Sequence, residues 1–315
     1  MTEHSIANIP NTPIRKRKRN QWKAHMSMYL ILLPGLLHLL LFKYVPLYGI
    51  LIAFKDFNIF DGIGSSPWVG LDNFEKLVSS NEFFRVLKNT VLISVYKIVI
   101  LFPLPIFVAI VLNEVRKIFF KRVVQTIIYL PHFLSWVIIG GLFVNILSPS
   151  SGIVNRIIES LGGEPISFLI DNDWFRSVLV FSAGWKEVGW NAVVFIAAIA
   201  GIDQDLYEAA DIDGAGRINQ IIHITLPSIA STIVLMLILR LGYVLEAGTE
   251  QILVMYNSVV YETADVIGTY VYRIGLGTMD YSFSTAVGLF NSVVGFALVV
   301  TGNKVCQKLT QKSIW

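Results

Sequence analysis

Cysteine and charge are both scarce in this chain. A single cysteine, Cys306, stands among 315 residues, which excludes an intrachain disulfide, and no cysteine or histidine sits at metal-ligand spacing from it. Charged residues make up 15% of the sequence against 54% hydrophobic ones, and the mean hydropathy is +0.63. A soluble domain carries roughly 25% charge, so most of this chain is built for lipid. The motifs of catalysis are missing too. There is no Gly-x4-Gly-Lys-[Ser/Thr] loop to cradle a nucleotide phosphate, no His-Glu-x-x-His and no Gly-x-Ser-x-Gly elbow. The histidines, His4, His25, His38, His132 and His223, are scattered. The expectation is a chain that is no enzyme and holds neither cofactor nor metal.

What the sequence does have is long apolar runs. A helix needs about 20 apolar residues to span the hydrocarbon core, and six windows qualify, at roughly 28–53, 89–112, 123–147, 177–201, 228–247 and 283–302. The first follows a basic cluster, Arg15, Lys16, Arg17, Lys18, Arg19 and Lys23. A nucleic-acid patch is the other reading of such a cluster, but directly before a membrane segment it is a cytoplasmic anchor. No small-x-small cleavage site follows, so the first run reads as an uncleaved helix with Pro34 and Pro46 inside it. Arg116, Lys117, Lys121 and Arg122, and then Lys304, Lys308 and Lys312, fall on the same face. The positive-inside rule makes that face cytoplasmic and places both termini there. The expected organisation is a cytoplasmic segment 1–27, a membrane domain 28–303 and a tail 304–315, with an all-α fold of six transmembrane helices. In the first outer connection, Asp72 is expected to cap a short helix carrying Phe74, Leu77 and Val78 on one face.

The inner loop 202–227 breaks the charge pattern. Arg217 is its only lysine or arginine, beside Asp203, Asp205, Glu208, Asp211 and Asp213. Carboxylates followed by helix formers predict a short helix capped near Asp203, broken by Gly214 and Gly216, with Pro227 tolerated in the first turn of the fifth span. A polar loop of this kind suits docking onto a protein surface; an ordinary helix-turn joining two membrane helices is the alternative.

The pattern Glu208-Ala209-Ala210, three residues, Gly214, nine residues, Ile224-Thr225-Leu226-Pro227 resembles, without a gap, the loop signature of permease subunits of binding-protein-dependent ABC importers. The flanking Ile202-Asp203 and Asp211-Ile212-Asp213-Gly214-Ala215 look like the carbohydrate-uptake branch. So do Tyr270 to Leu276, Ala286 to Phe290 and Gly70-Leu71-Asp72-Asn73-Phe74. The resemblance implies a type I ABC importer permease fold in a bacterial cell membrane. It implies a helix starting near Leu206 that docks into a cytoplasmic ATPase, with Leu206, Tyr207, Glu208, Ala209, Ala210, Asp213, Gly214, Ile224, Leu226 and Pro227 coupling transport to ATP hydrolysis. It further implies a second permease, two ATPase subunits that bind ATP and magnesium, an extracytoplasmic solute-binding protein and an oligosaccharide or polysaccharide-fragment substrate.

Ionisable residues inside spans are functional candidates by default, and here they are Lys43, Lys97, His132, Lys186, Glu187, Arg240 and Glu246. Lys97, Lys186 and Glu187 come early in helices running inward, while Lys43, Arg240 and Glu246 come late in helices running outward. At about 1.5 Å rise per residue, these six belong to the outer half of the membrane. They suggest a partly cationic vestibule, which favours a uronate-containing glycan over a neutral one. The candidates for the substrate path are Lys186, Asn191, Arg240, Tyr243 and Asn291. Pairing of Lys186 with Glu187 or of Arg240 with Glu246, or snorkelling, would give these charges a purely structural role. A secondary transporter, an integral-membrane enzyme and an ABC permease for a non-sugar solute are the competing readings. The first predicts inverted repeats and midplane carboxylates, and no aspartate lies inside any window.

Overall fold

The computed structural model describes residues 26–310. The cluster Arg15 to Lys23, Lys312 and the side chains of Cys306 and Lys308 lie outside the described residues. Among the described residues the regular elements are helices, with one isolated bridge between Lys55 and Trp68. The chain divides into two compact units, Met1–Ile50 and Leu51–Trp315. The first holds most of α1 (Met28–Phe54). Pro34 lies within its α-helical part, which loosens into a π turn at Leu40–Tyr44 and tightens to 3-10 winding from Val45, so Pro46 falls at the change of winding.

In the second unit, α2 (Asn81–Glu114) and α9 (Tyr281–Thr310, apolar through Lys304) are each long enough to cross a bilayer alone. Three bent pairs complete the set: α3 (Ile118–Phe133) with α4 (Trp136–Ile146), α5 (Asn172–Ala200) with α6 (Gln204–Ile212), and α7 (Arg217–Ser228) with α8 (Ala230–Gly242). Their bends are 102°, 70° and 60°. Three helices therefore span by length and composition, or six if each bent pair is one span.

The window 123–147 is thus not one straight helix. Pro131 cannot continue the backbone ladder, Leu134 is extended, and Ser135 starts α4 as its N-cap by accepting from the Ile138 amide at 3.3 Å. The fifth span also differs from its expected extent of 228–247. It winds from Ala230 to Gly242, passes through 3-10 winding at Val244–Glu246, and ends in two left-handed residues, Ala247 and Gly248. Tyr243 and Glu246 therefore stand at an unwinding helix end. Asp72 does not cap its helix: Leu71 is the cap residue and Asp72 opens Asp72–Ser79, where the helix dipole favours a carboxylate. Leu77 is buried, but Val78 is exposed.

The helix α5 is the centre of the second unit. Asp171 caps it by accepting from the Asp173 amide at 2.9 Å, and its buried face runs through Phe175, Leu179, Ala183, Ala192, Phe195 and Ile199. Its upper half packs with Ile93, Trp136, Ile139, Phe143 and Ile252. Its lower half packs with Ala109 of α2 and Ile229. Gly189 allows α3 to come against α5 backbone to backbone, because a Cβ there would collide with the Ile128 carbonyl. A third cluster, Leu77, Phe83, Val86, Ile267, Tyr270, Phe283 and Val287, closes the opposite end of the bundle from the α6–α7 connection. There the segment after residue 256 is stitched to α2 and α5. Asn89 donates to the Glu262 and Asp265 carbonyls, Thr90 accepts from the Ile267 amide, and Arg176 donates to Thr263 O and Asn89 Oδ1.

Candidate functional site

Two places in the second unit carry the chemistry, one at each end of the α5–α8 pair. At the inner end, α6 and α7 form a polar hairpin. Asp203 caps α6 as expected, accepting from the Asp205 amide at 3.1 Å. The helix closes at Ile212 with Asp213 as cap residue, and Gly214 takes φ +75°. Gly214 then donates to Asp211 O at 3.1 Å and Ala215 to Ala210 O at 2.9 Å, the paired bonds of a Schellman turn. Gly214 therefore stands where only a residue at ease in left-handed backbone fits.

The return strand of the hairpin is held by side chains. Gln220, buried, donates to Asp211 Oδ1 at 2.5 Å and to Ala215 O at 3.3 Å. The Tyr207 and Thr225 hydroxyls share a hydrogen bond of 2.8 Å. Tyr207 and Ile224 pack against the cluster around Phe195, which fixes the hairpin to the lower ends of α2 and α5. Arg217 reaches Glu114 at the end of α2 at 4.0 Å, both largely exposed. Leu226 and Pro227 form the last turn before the 60° bend into α8. Glu208, Ala209, Asp213 and Gly214 are exposed, and Leu206 is about half exposed at 49%. Two residues outside the expected set share this surface: Ile212 is 87% and Ile218 72% exposed. These two apolar side chains stand bare on a hairpin otherwise rich in acid. Their sequence signal was present, since both are apolar residues in a polar loop, and none of the described residues covers them. Gln220 carried no such signal.

At the outer half, two small cavities meet between α2, α5 and α8. The first, about 190 Å³, is lined by Glu187, Asn191, Arg240 and Tyr243 among apolar neighbours. The second, about 130 Å³, is lined by Ser94, Lys97, Glu187, Arg240, Tyr243 and Glu246. The structure thus brings together Asn191, Arg240 and Tyr243 of the expected path, along with Lys97, Glu187 and Glu246. Arg240 NH1 lies 3.8 Å from Glu187 Oε2, so its partner is Glu187 rather than Glu246. Lys97 Nζ donates to Ala247 O at 2.9 Å and to Gln251 Oε1 at 2.6 Å, and Gln251 passes the chain on to Leu179 O and Ser182 Oγ. A larger groove, about 780 Å³, lies on the α2–α5 pair, but at membrane depth its wall is apolar, made by residues such as Ile100, Leu104, Phe181 and Trp185.

Two expected path residues stand elsewhere. Lys186 is buried and donates to His132 O at 2.9 Å and to Leu134 O, with its ammonium 5.4 Å from the Trp136 ring. It caps the carbonyls that the α3–α4 break leaves open and does not pair with Glu187. His132 stacks on Trp190 at 4.5 Å beside it. Asn291 lines neither cavity, and its buried Oδ1 has no hydrogen-bond partner among the described residues. The cationic excess expected of the vestibule is also absent from these walls, where Lys97 and Arg240 face Glu187 and Glu246.

Residues 102–305 match the family model described as the binding-protein-dependent transport system inner membrane component. The chain belongs to that family. It is 47% identical to Protein LplB of Bacillus subtilis strain 168 over 95% of this chain and 92% of that one. It is 46% identical to the polygalacturonan/rhamnogalacturonan transport system permease protein YteP of the same organism, over 95% and 94%. It superposes with a TM-score of 0.87, at 42% identity, on a chain of a bacterial ABC transporter involved in the import of the acidic polysaccharide alginate. That superposition covers 94% of this chain and 100% of the other. A second structure, of a bacterial alginate ABC transporter in complex with an alginate pentasaccharide-bound periplasmic protein, matches at 0.87 with 40% identity, over 95% and 100%. This permease is therefore a cell-membrane transport subunit with the type I importer fold, not an enzyme, and the secondary-transporter and membrane-enzyme readings fall.

Proposed function

We propose that this permease imports acidic oligosaccharides or polysaccharide fragments, as one half of a path shared with a second, non-identical permease. The observation that carries this reading is the match, over the full length of the other chain, to an alginate importer subunit. The 46% identity to a polygalacturonan/rhamnogalacturonan permease also supports it, since alginate, polygalacturonan and rhamnogalacturonan all carry uronic acid residues. The wall around Arg240, Asn191 and Tyr243 would meet the glycan. It offers a guanidinium, an amide and a phenol, which bind carboxylates and sugar hydroxyls.

The α6–α7 hairpin would dock on one of two cytoplasmic ATPase subunits through Leu206, Ala209, Ile212 and Ile218. Closure of the ATPases around ATP and magnesium would push this hairpin and that of the second permease together. The polar lock supports this role, because a hairpin tied to α2 and α5 transmits a push as a rigid body. An extracytoplasmic solute-binding protein would deliver the glycan.

Purification of the chain from its native membrane in mild detergent tests the reading. Recovery of an ATPase, a second permease and a binding protein is expected, with ATP turnover stimulated by binding protein loaded with uronate oligomers. A complex stimulated by neutral oligosaccharides alone overturns the substrate class; a chain recovered without an ATPase overturns the coupling assignment.

A further inference from the structure

Arg240 is the cation that stands on the cavity wall with its donors unused. Its contact with Glu187, at 3.8 Å, is beyond hydrogen-bond reach, and neither side chain makes a hydrogen bond among the described residues. Both stay about a third exposed, at 37% and 32%. A guanidinium carries five N–H donors and holds a carboxylate best through two parallel bonds, so this pairing leaves most of its capacity open. The other cation of the wall is different. Lys97 is buried, and two of its three N–H groups are committed to the neutral oxygens of Ala247 and Gln251. Its third N–H has no carboxylate partner among the described residues, although Glu187 lines the same cavity.

We infer that Glu187 is a placeholder carboxylate and Arg240 the group that reads the substrate's charge. In the empty path Glu187 keeps Arg240 neutralised from the loose distance seen here. An arriving uronate forms the two-bonded fork with Arg240, and Glu187 turns to the free N–H of Lys97, so neither Glu187 nor either of the two cations is left without a partner. A neutral sugar brings no carboxylate to exchange, so the pair discriminates against it. Specificity then comes from a built-in competitor as well as from an attractive contact. This inference rests on the acidic-glycan reading above.

The test is uptake into vesicles bearing the complete transporter with its binding protein, using oligogalacturonate as the probe. Arg240→Gln is expected to raise the half-saturating concentration of loaded binding protein at least tenfold, and Arg240→Lys to raise it less. Glu187→Gln is expected to lower it about threefold, because the competitor is gone. The double variant should behave as Arg240→Gln. Arg240→Gln and Glu187→Gln shifts in the same direction, or an Arg240→Gln transporter that saturates like the wild type, overturn the exchange while leaving acidic-glycan import standing. A wild-type transporter that takes up neutral oligosaccharides but no uronate oligomers overturns the reading beneath it and the inference with it.

Discussion

Gln220 donates to the Asp211 carboxylate at 2.5 Å across the turn that Gly214 makes possible. The bond joins the last turn of α6 to the first turn of α7, and the same amide also donates to Ala215 O. The hairpin therefore does not rely on the membrane helices to keep its two arms together. The proposed role of this hairpin, passing force between an ATPase and a transmembrane path, calls for that property, because a loose connection would dissipate the push as local motion.

Gly214 is the most exposed test of this view. A β-branched residue at φ +75° carries a backbone penalty of roughly 1–3 kcal/mol, large against the stability of a short hairpin. Gly214→Val is expected to insert and to assemble with its partner permease, yet to lose at least nine-tenths of ATP-driven uptake. Gly214→Asn should keep most of it, because asparagine tolerates left-handed backbone. Uptake and ATPase rates measured on the same vesicles separate the outcomes, and equal activity of the two variants would remove the turn from the coupling path.

Lys186 tests the outer half. With a neutral, donor-less side chain, the His132 and Leu134 carbonyls at the α3–α4 break lose their partner, and an unsatisfied buried polar group costs about 1–3 kcal/mol. Lys186→Met should therefore lower the thermal unfolding temperature of the detergent-solubilised complex by several degrees while the half-saturation of uptake stays at the wild-type value. A changed half-saturation with unchanged thermal stability would return Lys186 to the substrate path.

The contrast between Lys186 and Arg240 shows where the sequence is legible and where it stops. Both are cations inside apolar windows at similar depth, and charge and spacing treat them alike. Which carbonyls stand opposite Lys186 depends on a 102° break that hydropathy cannot register, because an apolar window has the same mean whether its helix is straight or bent. Pro131 and Ser135 were the local clues, a residue that cannot extend a helix and one that starts the next. The inner hairpin was read far more fully. Its helix start at Asp203 and its stop before Gly214 are written in short-range chemistry, whereas Pro227, expected in the first turn of the fifth span, stands in the last turn of α7 before the bend. The partner of Arg240 is a matter of three-dimensional register between α5 and α8, and no local pattern encodes that.

Asp265 tests the outer end of the bundle. Its carboxylate is fully buried and accepts from Arg273 at 2.5 Å and from the Thr269 hydroxyl at 2.7 Å. Arg273 also pairs with Glu82 at the start of α2, at 3.0 Å, and lies over the rings of Tyr261 and Tyr270. The cluster ties the segment between α8 and α9 to α2, on the face where a binding protein would approach. Asp265→Asn keeps the size but removes the charge, and a hydrogen bond to a charged group contributes about 1.5–3 kcal/mol. Backbone amides of residues 262–273 should then exchange with deuterium at least tenfold faster in the intact complex, with the α6–α7 hairpin unaffected. Exchange that rises equally at both ends would make Asp265 a determinant of global stability, and unchanged exchange would show that Glu82 and the two tyrosines hold Arg273 without it.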